Sequence, residues 1–86
     1  MASVVELKAA IEAAISQVTE GQTAMRAAGE KLAEAQQSLA AALEGSGHDA
    51  VSAAHTALSQ ATTGLEDSLT ATLAAVEQAQ AYVATL

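Results

Sequence analysis

The chain has no cysteine, no proline, no tryptophan and no phenylalanine, and Tyr82 is its only aromatic residue. Without cysteine there is no disulfide framework, so cysteine usage gives no indication of the redox compartment. Without large aromatic side chains there is little apolar volume to bury, and we expect an isolated monomer to be marginally stable. A length of 86 residues allows one domain, spanning 1–86.

Basic residues are also scarce, with three against ten acidic residues and a formal net charge of −7. Residues 45–86 carry no Lys or Arg at all. Such a surface repels nucleic-acid phosphates and anionic lipid, so we expect no nucleic-acid partner. The charge keeps an alanine-rich surface soluble.

Long apolar runs are missing too. The longest uncharged stretch, residues 50–65, is interrupted by Ser, Thr, Gln and His, so we expect no membrane span. The N-terminal segment lacks a basic start followed by an apolar core, so we expect no cleavable secretory signal. Location is left open between the cytoplasm and export without such a signal.

The first half of the chain carries a heptad repeat. One bulky row is spaced by seven residues without a slip: Val4, Ile11, Val18, Met25, Leu32 and Leu39. The row three residues further on is mostly small: Leu7, Ala14, Gly21, Ala28, Ala35 and Ala42. This pattern predicts a long helix whose bulky row faces a second helix, with the small row beside it allowing close approach.

The second half follows the same rule, with Val51, Leu58 and Leu65 spaced by seven. The bulky side chains then move four residues along, to Leu69, Val76 and Val83, which predicts a stutter in the repeat. A break of this helix near Thr62–Gly64 is left open.

The two heptad series are mirror images about Gly45. Position 39 pairs with 51, 32 with 58, 25 with 65, 18 with 72, 11 with 79, and 4 with 86. We therefore predict that the chain folds back at its centre and that these layers meet, forming a hairpin seam of Val4, Ile11, Val18, Met25, Leu32, Leu39, Val51, Leu58, Leu65, Leu69, Val76 and Val83.

Capping residues predict where the helices begin and end. Ser3 and Glu6 form an S-x-x-E capping box, and Ser46 with Asp49 forms an S-x-x-D pattern at the second start. Gly45 and Gly47 flank Ser46, and Gly45 can adopt the left-handed conformation that ends a helix. The predicted fold is all-α, an antiparallel two-helix hairpin with helices near 3–44 and 47–85.

Residues that could carry chemistry are few. His48 and His55 are seven apart, about 10 Å along a helix, too far to bind one zinc ion; we expect His48 to cap the turn and His55 to lie at the seam edge. The carboxylate pairs Glu30/Glu34 and Glu66/Asp67 lack the Glu-x-x-His motifs of di-metal bundles. We expect no enzyme activity, no cofactor and no metal.

Several apolar residues lie off the predicted seam: Val5, Ile15, Leu43 and Leu73. Because a two-helix hairpin covers only one side of each helix, these residues predict association. The partner is a second copy, most economically in a dimer that completes a four-helix bundle, or a related helical protein.

The turn Gly45-Ser46-Gly47 between two equal helices, followed by Tyr82 near the C-terminus, resembles the WXG-motif helical hairpins of type VII secretion in actinobacteria. The turn keeps the last glycine of that motif but lacks its tryptophan, and Leu86 stands where the family's C-terminal signal has an acid. The resemblance implies a substrate, adaptor or chaperone of a secretion or toxin-delivery system, with Tyr82 as an export-tail contact. The alternative is a structural coiled coil that only self-assembles, from a phage, a cell envelope or a designed bundle.

Overall fold

Helix α1 spans Val4–Ala42 and begins with a complete capping box. The Glu6 backbone N–H donates to the Ser3 hydroxyl at 3.1 Å, and the Ser3 N–H donates back to the Glu6 carboxylate at 3.4 Å. Both bonds satisfy amide groups that a helix start leaves unpaired. The computed structural model describes residues 3–45 and 47–86.

The turn consists of the residues between Ala42 and Asp49. Leu43 caps α1 by donating its backbone N–H to the Leu39 carbonyl at 3.0 Å, and Gly45 has φ +81°, a left-handed conformation that favours glycine. The predicted capping role of Ser46 lies outside the described residues.

Helix α2 spans Asp49–Thr85, so it begins two residues later than predicted. The reason is that His48 is its N-cap: Nδ1 of His48 accepts the Ala50 backbone N–H at 3.1 Å. Asp49 is the first helical residue, where a carboxylate is favoured by the helix dipole. The helix is unbroken through Thr62 and Gly64.

The two helices pack antiparallel along their length, which confirms the all-α hairpin. The hairpin measures 64 × 18 × 15 Å and has a radius of gyration of 19.4 Å. A compact domain of this length would have a radius of gyration of about 12 Å. The protein is therefore a thin rod with helix-to-helix contact on one side of each helix only.

On α1, the row that packs against α2 together with the bulky row is not the predicted one. The small row from Ala14 to Ala42 is exposed, and the row from Ile15 to Leu43 faces α2 instead. The facing rows of both helices hold Ile15, Leu43, Leu69, Val76 and Val83, whereas the small rows hold only Leu7 and Tyr82 as large apolar residues. Since each large side chain contributes about 1.5 to 3 kcal/mol when buried, the chain buries the row that holds more of them.

The predicted stutter in α2 is likewise absent. One row, His55, Thr62, Leu69, Val76 and Val83, is half-buried from end to end. Its first two members are polar and its last three are apolar. The bulky side chains that follow Leu65 therefore lie in a row that faces α1 along the whole helix. The heptad of α2 runs through without a shift.

The residues that face each other across the two helices differ from the pairs that the mirror about Gly45 predicts. That mirror places residue 68 opposite Gln22, but Gln22 hydrogen-bonds to Thr72, and Gln36 bonds to Ser59 where the mirror places residue 54. The shift is four to five residues, or about one helical turn. It follows from the turn, which extends to Asp49 and so places the point of reversal after Gly45.

Candidate interaction surface

The seam between the helices holds the least exposed side chains among the described residues, yet these side chains are only partly buried. Eleven of the twelve predicted seam residues are half-buried, and none of them reaches full burial. Among the described residues, no apolar side chain is buried, and Gln22 is the only buried residue. An isolated hairpin therefore leaves even its best-packed side chains in contact with solvent.

Val4 is the exception among the predicted seam residues. It is 54 % exposed, because the displaced register leaves the first turn of α1 beyond the end of α2. The prediction that Val4 packs in the seam opposite Leu86 is therefore wrong. Val4, Val5, Tyr82 and Leu86 are all exposed at this open end of the rod, between 40 % and 77 %.

Polar residues interrupt the seam at two heights, one near the middle of the rod and one towards the turn. Nε2 of Gln22 donates to Oγ1 of Thr72 at 3.3 Å, and that hydroxyl donates to the Leu69 carbonyl at 2.8 Å. Nε2 of Gln36 donates to the Ser59 hydroxyl at 3.1 Å. Each of these side chains has a partner, so the seam tolerates them without unsatisfied buried groups among the described residues.

The rod has two long faces that differ in composition. On one side of the seam lies a surface that we name the alanine face, made of Leu7, Ala14, Gly21, Ala28, Ala35 and Ala42 on α1 and Ala54, Ala61, Ser68, Ala75 and Tyr82 on α2. Leu7 and Ala54 are half-buried and the others are exposed. The alanine face contains no charged residue and, apart from the hydroxyls of Ser68 and Tyr82, no polar side chain.

The opposite side of the seam carries charge, and we name it the polar face. Its rows are Val5, Glu12, Thr19, Arg26, Ala33 and Ala40 on α1 and Ser52, Ser59, Glu66, Leu73 and Gln80 on α2. A groove of about 450 Å³ on this side is lined by Met25, Leu65 and Leu69 but also by Arg26 and Glu66. Burying this face would remove charged groups from water, which is costly unless they pair well.

The alanine face also opens onto the apolar interior of the seam. A groove of about 330 Å³ lies between Ala14 and Ala75, and its floor is formed by Ile11, Val18 and Val76. The residues lining it are all apolar. Small side chains along both rims therefore leave large apolar side chains accessible from outside the hairpin.

The small row of α1 is apparent in the sequence, where it predicts close approach of a second helix beside the bulky row. The sequence does contain a signal for which row packs against the other helix: the row four residues after the bulky row holds more large apolar side chains than the row three residues after it. The alanine face is thus the surface that sequence reasoning missed.

In the part of the chain that the structure describes, no group of three His, Asp or Glu side chains is close enough to bind one metal ion. His48 caps α2 and His55 is half-buried in the seam row. Neither described helix has a stretch apolar enough to cross a lipid bilayer.

Comparison with protein-family models, curated proteins and solved structures gives no match to this chain.

Proposed function

We propose that the protein is a non-catalytic interaction module that acts by associating with a second helical hairpin, most simply a copy of itself. The observation that carries the proposal is the lack of any buried apolar side chain among residues 3–45 and 47–86. A protein whose seam stays half-exposed gains stability when another surface covers it, since burial of apolar area is the main favourable term in association.

The surface area supports this proposal. The hairpin exposes 6032 Å², whereas a monomeric protein of 8.5 kDa is expected to expose about 4,700 Å². The excess of about 1,300 Å² is larger than the about 800 Å² that each partner buries in a standard interface. The long face of the rod is therefore large enough for a stable dimer.

Solution mass tests the proposal directly. Light scattering coupled to size-exclusion chromatography distinguishes the 8.5 kDa chain from its dimer without assumptions about shape. We expect a mass of twice the chain at micromolar concentration, and a helical signal that decreases on dilution because folding and association are coupled. A monomer that stays helical and melts cooperatively at all concentrations would contradict the proposal.

Within this role we propose service in a type VII-like secretion or toxin-delivery system, as substrate, adaptor or chaperone. The support is the hairpin of two nearly equal helices around a glycine-containing turn, together with Tyr82, which is 51 % exposed near the end of α2. Export can be tested in a host that carries such a system. Tyr82→Ala should abolish export, whereas Tyr82→Phe, which keeps the ring, should preserve part of it.

A structural coiled coil that polymerises is the second candidate. The exposed apolar residues at the open end, such as Val4, Val5 and Leu86, favour it, because they offer an end-to-end contact. The two candidates predict different assemblies. A closed dimer of fixed mass supports the interaction module, and a mass that keeps rising with concentration supports the polymer.

A further inference from the structure

We infer that the alanine face is the contact surface for a second copy of this chain, and that the two copies lie antiparallel with their open ends at opposite ends of the assembly. The inference rests on the proposed self-association and specifies its surface and its symmetry.

The choice of face follows from charge and area. None of the acidic or basic residues of the chain lies on the alanine face, so a second copy can cover it without removing a charge from water. From Leu7 to Ala42 the face spans about 53 Å, at a rise of 1.5 Å per residue, along a rod 15 to 18 Å across. It thus offers about 800 to 950 Å² per copy, comparable to the about 800 Å² per partner of a standard interface.

The direction follows from the sizes of the side chains along α1. Its row in the alanine face has one large residue, Leu7, at the open end, and only Ala or Gly beyond it. When two copies of this row run antiparallel, Leu7 lies opposite Ala42, Ala14 opposite Ala35, and Gly21 opposite Ala28. Each large side chain then meets a small one, and the helix axes keep a uniform close separation of about 8 Å.

The row of α2 obeys the same rule. Run antiparallel against its copy, it places Tyr82 opposite Ala54, Ala61 opposite Ala75, and Ser68 opposite the second copy's Ser68. Two copies aligned in the same direction would instead bring both Tyr82 rings and both Leu7 side chains to one end. The rods would be forced apart there while only alanines met at the other end.

Both rows demand the same symmetry axis. The α1 row is centred between Gly21 and Ala28, and the α2 row is centred on Ser68. In the hairpin these centres lie at nearly the same height, because Gln22 is bonded to Thr72 and Met25 shares a groove with Leu69. One two-fold axis across the middle of the rod therefore satisfies both rows at once, as a closed dimer requires.

Spin-label distances test the direction. The chain has no cysteine, so a single introduced cysteine places one label per copy. Ala9→Cys near the open end and Ala27→Cys near the middle are both exposed and both lie off the alanine face. In antiparallel copies a rise of 1.5 Å per residue offsets the two labels along the rod by about 46 Å at position 9 and by about 8 Å at position 27. We therefore expect a distance between labels of at least about 45 Å at position 9 and of no more than about 25 Å at position 27.

A matched pair of variants tests the face. Ala28→Glu introduces a carboxylate at the centre of the alanine face, and Ala27→Glu adds the same charge on the outer surface one residue away. Both positions are exposed in the single hairpin, so neither change disrupts the seam. We expect Ala28→Glu to weaken dimerisation at least tenfold and Ala27→Glu to leave the mass by light scattering unchanged.

The outcomes are distinguishable. Short distances at both positions in a dimer would overturn the antiparallel arrangement, and equal dimerisation of the two Glu variants would overturn the choice of face. A monomeric mass with no intermolecular distance at either position would overturn the self-association itself.

Discussion

Gln22 is hydrogen-bonded across the hairpin to Thr72, from Nε2 to Oγ1 at 3.3 Å, and at 5 % exposure it is the most deeply buried of the described residues. A polar pair at this depth in an apolar seam costs stability relative to apolar residues but defines the register, because a slipped hairpin would leave the amide without its partner. The pair therefore acts as a register marker near the middle of the rod.

We expect Gln22→Leu to raise the thermal midpoint, because an apolar side chain of similar volume replaces an amide and the Thr72 hydroxyl keeps its bond to the Leu69 carbonyl. The gain should be about 1 kcal/mol, with broader oligomer distributions by light scattering as register is relaxed. Gln37→Leu, on the exposed outer surface, is the control. A loss of more than about 1 kcal/mol in Gln22→Leu would contradict the role as a register marker.

The seam itself can be tested at Leu32, which is half-buried on the bulky row of α1. Leu32→Asp removes an apolar side chain and places a charge against α2, which should cost about 3 kcal/mol or more and leave the chain unfolded or unassociated. Ala33→Asp adds the same charge at an exposed neighbouring position and should be tolerated. Circular dichroism and light scattering measure both. A Leu32→Asp variant that stays helical, melts cooperatively and keeps its size would disprove the importance of the seam.

Much of this architecture could be predicted from the sequence, because the heptad spacing, the capping box at Ser3 and the central glycines are local signals. The register could not, because a heptad has a row on each side of its bulky row. If α2 slides along α1 by four residues, the row on the other side of the bulky row comes to face the partner helix, while the heptad spacing stays the same. Only the sum of side-chain sizes, led by Ile15, Leu69 and Val76, and the actual length of the turn select the observed pairing.

The alanine face illustrates the same limit. Heptad spacing of Ala14, Gly21 and Ala28 indicates a close helix contact, but it does not say whether the contacting helix belongs to the same chain. In the hairpin these residues are exposed. The pattern could therefore be recognised from sequence, whereas its assignment to an outer surface required the structure.

Two glycines with opposite roles offer a further test. Gly45 has φ +81°, so Gly45→Ala should destabilise the hairpin by about 1 kcal/mol through backbone strain at the turn. Gly64 lies within α2, and a methyl group added there meets no atom within 4 Å. Gly64→Ala should therefore stabilise by about 0.5 to 1 kcal/mol from helix propensity. Thermal melts followed by circular dichroism compare the two. Equal effects would contradict the left-handed turn at Gly45.

Added salt should leave the helices intact or strengthen them. At neutral pH the chain carries a net charge of −7, and Lys31 with Glu34, at 3.2 Å and largely exposed, is the one ion pair among the described residues. An exposed pair contributes at most about 1 kcal/mol, so screening by salt removes more repulsion than attraction.

Glu6 and Asp49 oppose this trend, because their negative charges favour the starts of α1 and α2 by about 0.3 to 1 kcal/mol each, but they are two of ten acidic residues. We therefore expect helicity and the thermal midpoint at pH 7 to hold or rise as salt is increased from about 10 mM to about 500 mM, because the repulsion is screened. Circular dichroism melts at each salt concentration measure this. Loss of helix as salt is added would show that specific charge contacts outweigh the net charge.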